Sequence, residues 1–209
     1  MSKTSPFEKY AHKYEEWFTK NYWAYKAELK AVQTLFPKGK GVEIGVGTGR
    51  FAGPLGIRFG IEPSDRMREI ARQRGSHVLN GLAEELPFGN SKVDFILMVT
   101  TVCFVDDINK AFQEAHRVLA KGGFLIVGLV DRHSPLGKIY LDRQNESVFY
   151  KEATFFSVNE IINIMSQTGF TNHSYRQTIF HDLHGITETE PVKPGYGEGA
   201  FVAVRGKKK

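Results

Sequence analysis

Apolar positions follow two rhythms along this chain. In residues 7–35 they recur every three or four positions, as in Phe7, Tyr10, Tyr14, Trp17 and Phe18, which predicts helix. After the turn at Pro37-Lys-Gly-Lys-Gly41, short apolar runs alternate with amphipathic stretches. The runs at 41–46, 57–62, 76–79, 93–99 and 124–130 predict strands. Helices are predicted near 49–55, 64–74, 107–119 and 157–168. Ser64 is placed to cap one of them, while Lys121-Gly122-Gly123 and Gly169 supply stops. The run 124–130 is apolar throughout, as suits a strand covered on both faces.

Residues 131–156 break this alternation. They mix Pro135, Gly137, charges and aromatics around one short helix, and a loop of this length usually serves function. Two strands near 171–180 and 199–205 close the chain. Their connection is Gly/Pro-rich and too short for a crossover helix, so they should pair antiparallel. The expected fold is α/β: a mostly parallel sheet with helices on both faces. With no repeat and no linker, residues 1–209 read as one domain, with a helical N-terminal part over 1–36.

Composition narrows the setting. No apolar run approaches the roughly 20 residues of a membrane helix, and the N-terminus lacks a signal-peptide core. Cys103 is the only cysteine, which rules out an internal disulfide and fits the cytoplasm. The net charge of +5 owes much to Lys207, Lys208 and Lys209, a solvated tail. Arg66, Arg68, Arg72 and Arg74 point around more than one side of their helix, so no nucleic-acid face is indicated. His181 and His184 lack a third ligand, so no metal site is expected.

The chemistry concentrates in Gly41-Val-Glu-Ile-Gly-Val-Gly-Thr-Gly-Arg50 and Ile61-Glu62-Pro63-Ser64. Gly45, Gly47 and Gly49 form a turn without Cβ atoms, against which a ligand can lie. Glu62, ending the next strand, can accept two hydrogen bonds from a ribose diol. Gly47-Thr-Gly-Arg-Phe-Ala52 also satisfies a dinucleotide fingerprint, so a nicotinamide oxidoreductase stays open on this turn alone. Glu43 argues the other way. A strand carboxylate beside the turn opposes phosphates and suits a ligand bearing an ammonium and a sulfonium.

With Gly81-Leu-Ala-Glu-Glu-Leu-Pro-Phe88 and the Arg117-Val-Leu-Ala-Lys-Gly-Gly123 turn, the chain resembles class I S-adenosylmethionine-dependent methyltransferases. It is most similar to the ubiquinone/menaquinone-biosynthesis-type branch acting on small molecules, over roughly residues 10–170. The resemblance implies a Rossmann-like seven-stranded sheet, ordered 3-2-1-4-5-7-6, with strand 7 antiparallel. It implies S-adenosyl-L-methionine as cofactor and S-adenosyl-L-homocysteine as product. Glu43, Gly45, Gly47 and Gly49 would hold the methionine part, and Glu62 followed by Pro63 the ribose. Met67 would cover adenine, Leu82, Ala83 and Glu84 would border its edge, and Thr100 and Thr101 would lie by the transferring methyl.

The chain departs from the pattern in three ways, one being Glu62 where Asp is commoner. Gly53-Pro54 must truncate the first helix, and no Asn-Pro-Pro-Tyr follows the fourth strand. The N-terminal helix would cover the site, with Tyr14 and Trp17 facing the acceptor. Residues 131–156 would form an acceptor-side insertion, with His133 the best-placed candidate base. A small-molecule acceptor is expected, beside three alternatives: an RNA-directed enzyme, a non-catalytic binder of the cofactor and, last, an NAD(P)-dependent oxidoreductase. Oligomeric state and acceptor atom are not legible.

Overall fold

The computed structural model describes residues 3–209. Its strands are β1 (Gly41–Ile44), β2 (Phe59–Ile61), β3 (His77–Leu79), β4 (Val93–Val99), β5 (Leu119–Val130), β6 (Phe170–Thr178), β7 (Lys193–Pro194) and β8 (Phe201–Lys208). They form one sheet in the order β3-β2-β1-β4-β5-β8-β6-β7. Strands β1 to β5 run parallel, and β8 inserts antiparallel between β5 and β6. This is the expected Rossmann-like order with one correction. The connection after β6 carries a two-residue strand, β7, so the sheet has eight strands, not seven.

Period-two alternation divides the core between two faces. Phe95, Leu97 and Val99 of β4, Ile126 of β5, and Phe201 and Ala203 of β8 point to one side. There they meet α2 (Ala11–Lys20), α3 (Tyr22–Thr34), α4 (Ala52–Leu55) and α5 (Asp65–Gln73). Val42 and Ile44 of β1 join Ile96, Met98, Leu125, Val127, Val202 and Val204 on the other side. That side is covered by α6 (Ile108–Val118) and α8 (Val158–Gln167). The alternation also fixes Glu43, between Val42 and Ile44, on the α3 and α4 side.

Local chemistry explains the boundaries. Ser64 Oγ accepts from Met67 N, and Ser157 with Glu160 forms a capping box. Gly53 and Pro54 leave α4 four residues, ended by Gly56 in the left-handed region. The stretch 7–35 is three helices rather than one: α1 (Ser5–Lys9), α2 and α3, broken at Tyr10 and Asn21. At the second break the Asn21 amide donates back to Trp17 O at 3.1 Å, a local bond that competes with helix continuation. Strand β5 begins at Leu119, not Phe124, because Gly122 at φ 77° and a register shift opposite Val93 and Phe95 accommodate an irregular start. Segment 131–156 carries α7 (Pro135–Asp142) and two single 3-10 turns.

Candidate active site

The parallel strands β1, β2 and β4 end together, and their following loops enclose a cleft. It holds about 780 Å³ of empty space, partly open to solvent. Of the residues singled out in the sequence, Tyr14, Gly45, Gly47, Glu62, Pro63, Met67, Leu82, Ala83, Glu84, Thr100 and Thr101 line it. The arrangement is the crevice that α/β sheets form beyond strand C-termini.

The glycine turn is held by its own neighbours. Gly45 N and Val46 N both donate to Ile61 O, at 2.8 and 3.1 Å. Glu62 reaches back to accept Gly47 N at 2.9 Å on one oxygen and Ser64 N at 3.0 Å on the other. Its carboxyl is raised above the ordinary range by burial, against which the Ser64 and Gly47 amides pull downward. Each oxygen keeps a further lone pair for a ligand hydroxyl. A Cβ on Gly45 would stand 2.4 Å from Thr101 Cγ2, and one on Gly47 would reach 3.1 Å from the Tyr14 hydroxyl. Both glycines have φ near +60° (66° and 55°).

At the end of β4, Thr100 sits at φ 51°, a costly conformation for a β-branched residue. It is held there by Thr100 N to Gly128 O at 2.8 Å, while Thr101 Oγ1 bonds Ile44 O at 3.1 Å. Such strain recurs at functional sites. Glu84 accepts Asp106 N at 2.7 Å, tying two walls of the cleft together. Met67 is fully buried below it, and Leu82 is 41% exposed at the rim.

Four of the residues singled out lie elsewhere. Gly49 packs against α5, where a Cβ would meet Ala71 at 3.6 Å. Glu43 is buried behind the turn, where burial raises its carboxyl well above the usual range and the Ala52 amide opposes this. Its Oε2 has no partner among the described residues. Trp17 packs on the helical side of the core, its indole N–H within hydrogen-bonding reach of the Tyr140 hydroxyl. His133 is exposed, with only its backbone amide bonded, to Asp131 Oδ1 at 3.0 Å. His133 is not among the residues lining the cleft.

Residues not singled out as site residues also line it: Lys3, Thr4, Phe7, Ile44, Gly81, Val99, Phe104, Val105 and Asp106. Phe7 belongs to α1, which lies across the cleft. Its ring meets Phe104 edge-on at 4.9 Å and Phe149 at 5.3 Å. Glu8 accepts Asp65 N and Arg66 N at the start of α5. From α2, Glu15 binds Arg50, Arg74 and Thr48 Oγ1. Burial opposes its charge, yet bonds from Arg74, Arg50 and Thr48 hold its pKa down to about 2. The N-terminal helices are thus fastened to both the glycine turn and α5.

A second cavity, with about 680 Å³ of largely open space, lies between α7 and the segment after β6. Leu136, Tyr140, Arg143, Tyr150 and Leu183 line it. Among the described residues no cluster of His, Cys, Asp or Glu is suited to a metal, and no helix is long and apolar enough to cross a membrane.

A glycine turn at one strand end, an acid at the next and a strained fourth-strand terminus define a Rossmann-like methyltransferase architecture. Comparison with known proteins agrees. The family described as "Methyltransferase domain" matches residues 42–127. A Thermotoga maritima crystal structure described as a SAM-dependent methyltransferase, possible histamine N-methyltransferase, is 55% identical. It superposes with a TM-score of 0.97 over 99% of this chain and 100% of that one. An uncharacterized protein of Methanocaldococcus jannaschii is 45% identical over 97% of this chain and 98% of its own. Demethylmenaquinone methyltransferase of Tropheryma whipplei is 29% identical over 66% of this chain and 69% of its own. The chain belongs to the S-adenosylmethionine-dependent methyltransferases. It takes S-adenosyl-L-methionine and releases S-adenosyl-L-homocysteine.

Proposed function

We propose that this enzyme methylates a small molecule within the enclosed space between its glycine turn and its N-terminal helices. The observation that carries this reading is the roof. Phe7 of α1, packed on Phe104 and Phe149, closes over a cleft already walled by Gly45, Gly47 and Glu62. A macromolecular acceptor would require that roof to be displaced, whereas a small molecule fits beneath it.

The cleft residues fit the cofactor. Removing the Cβ at Gly47 leaves room for a ligand against main chain, and Glu62 offers paired acceptors to a diol. Met67 and Ala83 give an apolar, polarizable surface for adenine, and Glu84 borders its edge. When bound, S-adenosylmethionine supplies a methyl carbon already activated by sulfonium, so an in-line displacement needs alignment more than acid–base power. Thr100, Thr101 and Tyr14, which line the cleft, would border that carbon. Phe7, Phe104 and Phe149 exclude water. Residues 131–156 stand on the acceptor side. The expected setting is the cytoplasm, with no nucleic-acid partner.

The T. maritima relative's description as a possible histamine N-methyltransferase is in keeping with a small acceptor. Calorimetry with S-adenosylmethionine, followed by a screen for S-adenosylhomocysteine release over small-molecule and RNA acceptors, tests the reading. Turnover with RNA but with no small molecule would reverse it.

A further inference from the structure

A cation and an anion line the second cavity without meeting. Arg143, the C-cap of α7, belongs to one wall, and Asp182, in the segment after β6, to the other. Among the described residues neither side chain forms an ion pair, with the other or with any third group. Asp182 Oδ1 accepts His184 N at 2.9 Å, and its second oxygen is uncommitted.

Most of the remaining lining is apolar or aromatic. Leu136 and Leu183 come from the same two walls, and Tyr140 and Tyr150 add rings with centroids 5.0 Å apart. The rings are braced from behind. Gln144 Nε2 donates to Tyr150 O at 2.9 Å and to Ala153 O at 2.7 Å, and Ser147 Oγ accepts Tyr150 N at 3.1 Å. A ligand would therefore meet groups already held in place. Tyr150 also stacks on Phe104 of the cofactor cleft at 6.2 Å, with the planes 12° apart. The two spaces thus share an aromatic partition but no lining residue.

This pattern of charge is selective. An anion alone would be repelled by Asp182, and a cation alone by Arg143. A neutral apolar molecule would displace water from both charges and give nothing back. A ligand carrying both signs satisfies both walls. We propose that the second cavity binds an α-amino acid with an aromatic side chain. Its carboxylate takes the forked N–H groups of Arg143, and its ammonium donates to Asp182. Its ring packs among Leu136, Leu183, Tyr140 and Tyr150. The site is separate from the cofactor cleft, so the inference goes beyond the methylation reading and does not rest on it.

The test is calorimetry on the protein saturated with S-adenosylhomocysteine, which keeps amino acids out of the cofactor cleft. Three titrants are compared: L-phenylalanine, 3-phenylpropionate, which lacks the ammonium, and 2-phenylethylamine, which lacks the carboxylate. The wild type should bind L-phenylalanine at least tenfold more tightly than either analogue. Arg143→Gln should erase the advantage over 2-phenylethylamine, and Asp182→Asn the advantage over 3-phenylpropionate. Both variants should keep the wild-type affinity for S-adenosylhomocysteine. No binding of L-phenylalanine by the wild type, or equal binding of all three, would overturn the proposal. So would an intact preference in either variant. A protein that failed to bind S-adenosylhomocysteine would count against the methyltransferase reading, and the same three titrants would still decide this one.

Discussion

Glu62 and Gly47 hold each other across the first two strand ends, carboxylate oxygen to loop amide at 2.9 Å. The bond joins the two halves of the cleft before any ligand arrives. Glu62→Gln replaces one acceptor oxygen with a donor that faces either the Gly47 or the Ser64 amide. We expect cofactor affinity to fall at least tenfold in Glu62→Gln and further in Glu62→Ala, measured by calorimetry. An unchanged dissociation constant in both would remove Glu62 from the site.

Gly45 and Gly47 should respond differently to the same added methyl. In Gly45→Ala the Cβ collides with Thr101 at 2.4 Å and φ stays at 66°, so stability should drop by about 2–3 kcal/mol. In Gly47→Ala the nearest atom is the Tyr14 hydroxyl at 3.1 Å, which can shift by a few tenths of an ångström. That variant should lose about 1–2 kcal/mol through its left-handed backbone and mainly lose cofactor binding. Equal unfolding midpoints for the two variants would contradict this account.

The Glu15 network predicts an acid-sensitive fastening of the N-terminal helices. Its pKa of about 2 lies below the ordinary 4.5. The stability it contributes is therefore present above the ordinary value and lost as pH falls toward 2. Glu15→Gln should cost about 1 kcal/mol at pH 7 and progressively less toward pH 3, by denaturant unfolding at each pH. A deficit independent of pH would show that charge is not what holds α2 down.

Glu28 has the opposite sign. Its folded pKa of about 8 lies above the ordinary 4.5, so the fold favours the protonated form. Its ionisation withdraws stability as pH rises from about 4.5 to 8. Glu28→Gln, neutral throughout, should gain on the wild type across that window by on the order of 2 kcal/mol in ligand-free protein. Parallel stability curves for the two proteins from pH 5 to 8.5 would refute it.

The strands were readable from apolar runs punctuated by glycine; their order and the cofactor class came with the resemblance carried by the glycine turn, Glu62, the 81–88 segment and the 117–123 turn. Legibility failed where geometry depends on long-range contact. Gly49 sits on the same alternation as Gly45 and Gly47, yet it serves the packing of α5 because the turn rotates it away. Phe7 and Phe104 carry no motif, and only folding brings them within 4.9 Å. Glu28 carries no motif either. Its burial follows from α3 resting on the C-terminal strands, a contact no local pattern announces. For a related reason, position beyond a strand end did not place His133 among the residues lining the cleft.

Among the described residues, β6 and β7 reach the other six strands of the sheet only through β8, residues 201–208. The order of synthesis is therefore not the order of assembly. Until the last strand has left the ribosome, β5 exposes an open edge and β6 with its two-residue neighbour has nothing to join. Deleting residues 200–209 should leave two raw sheet margins rather than a slightly shorter enzyme, and such a chain would aggregate instead of folding.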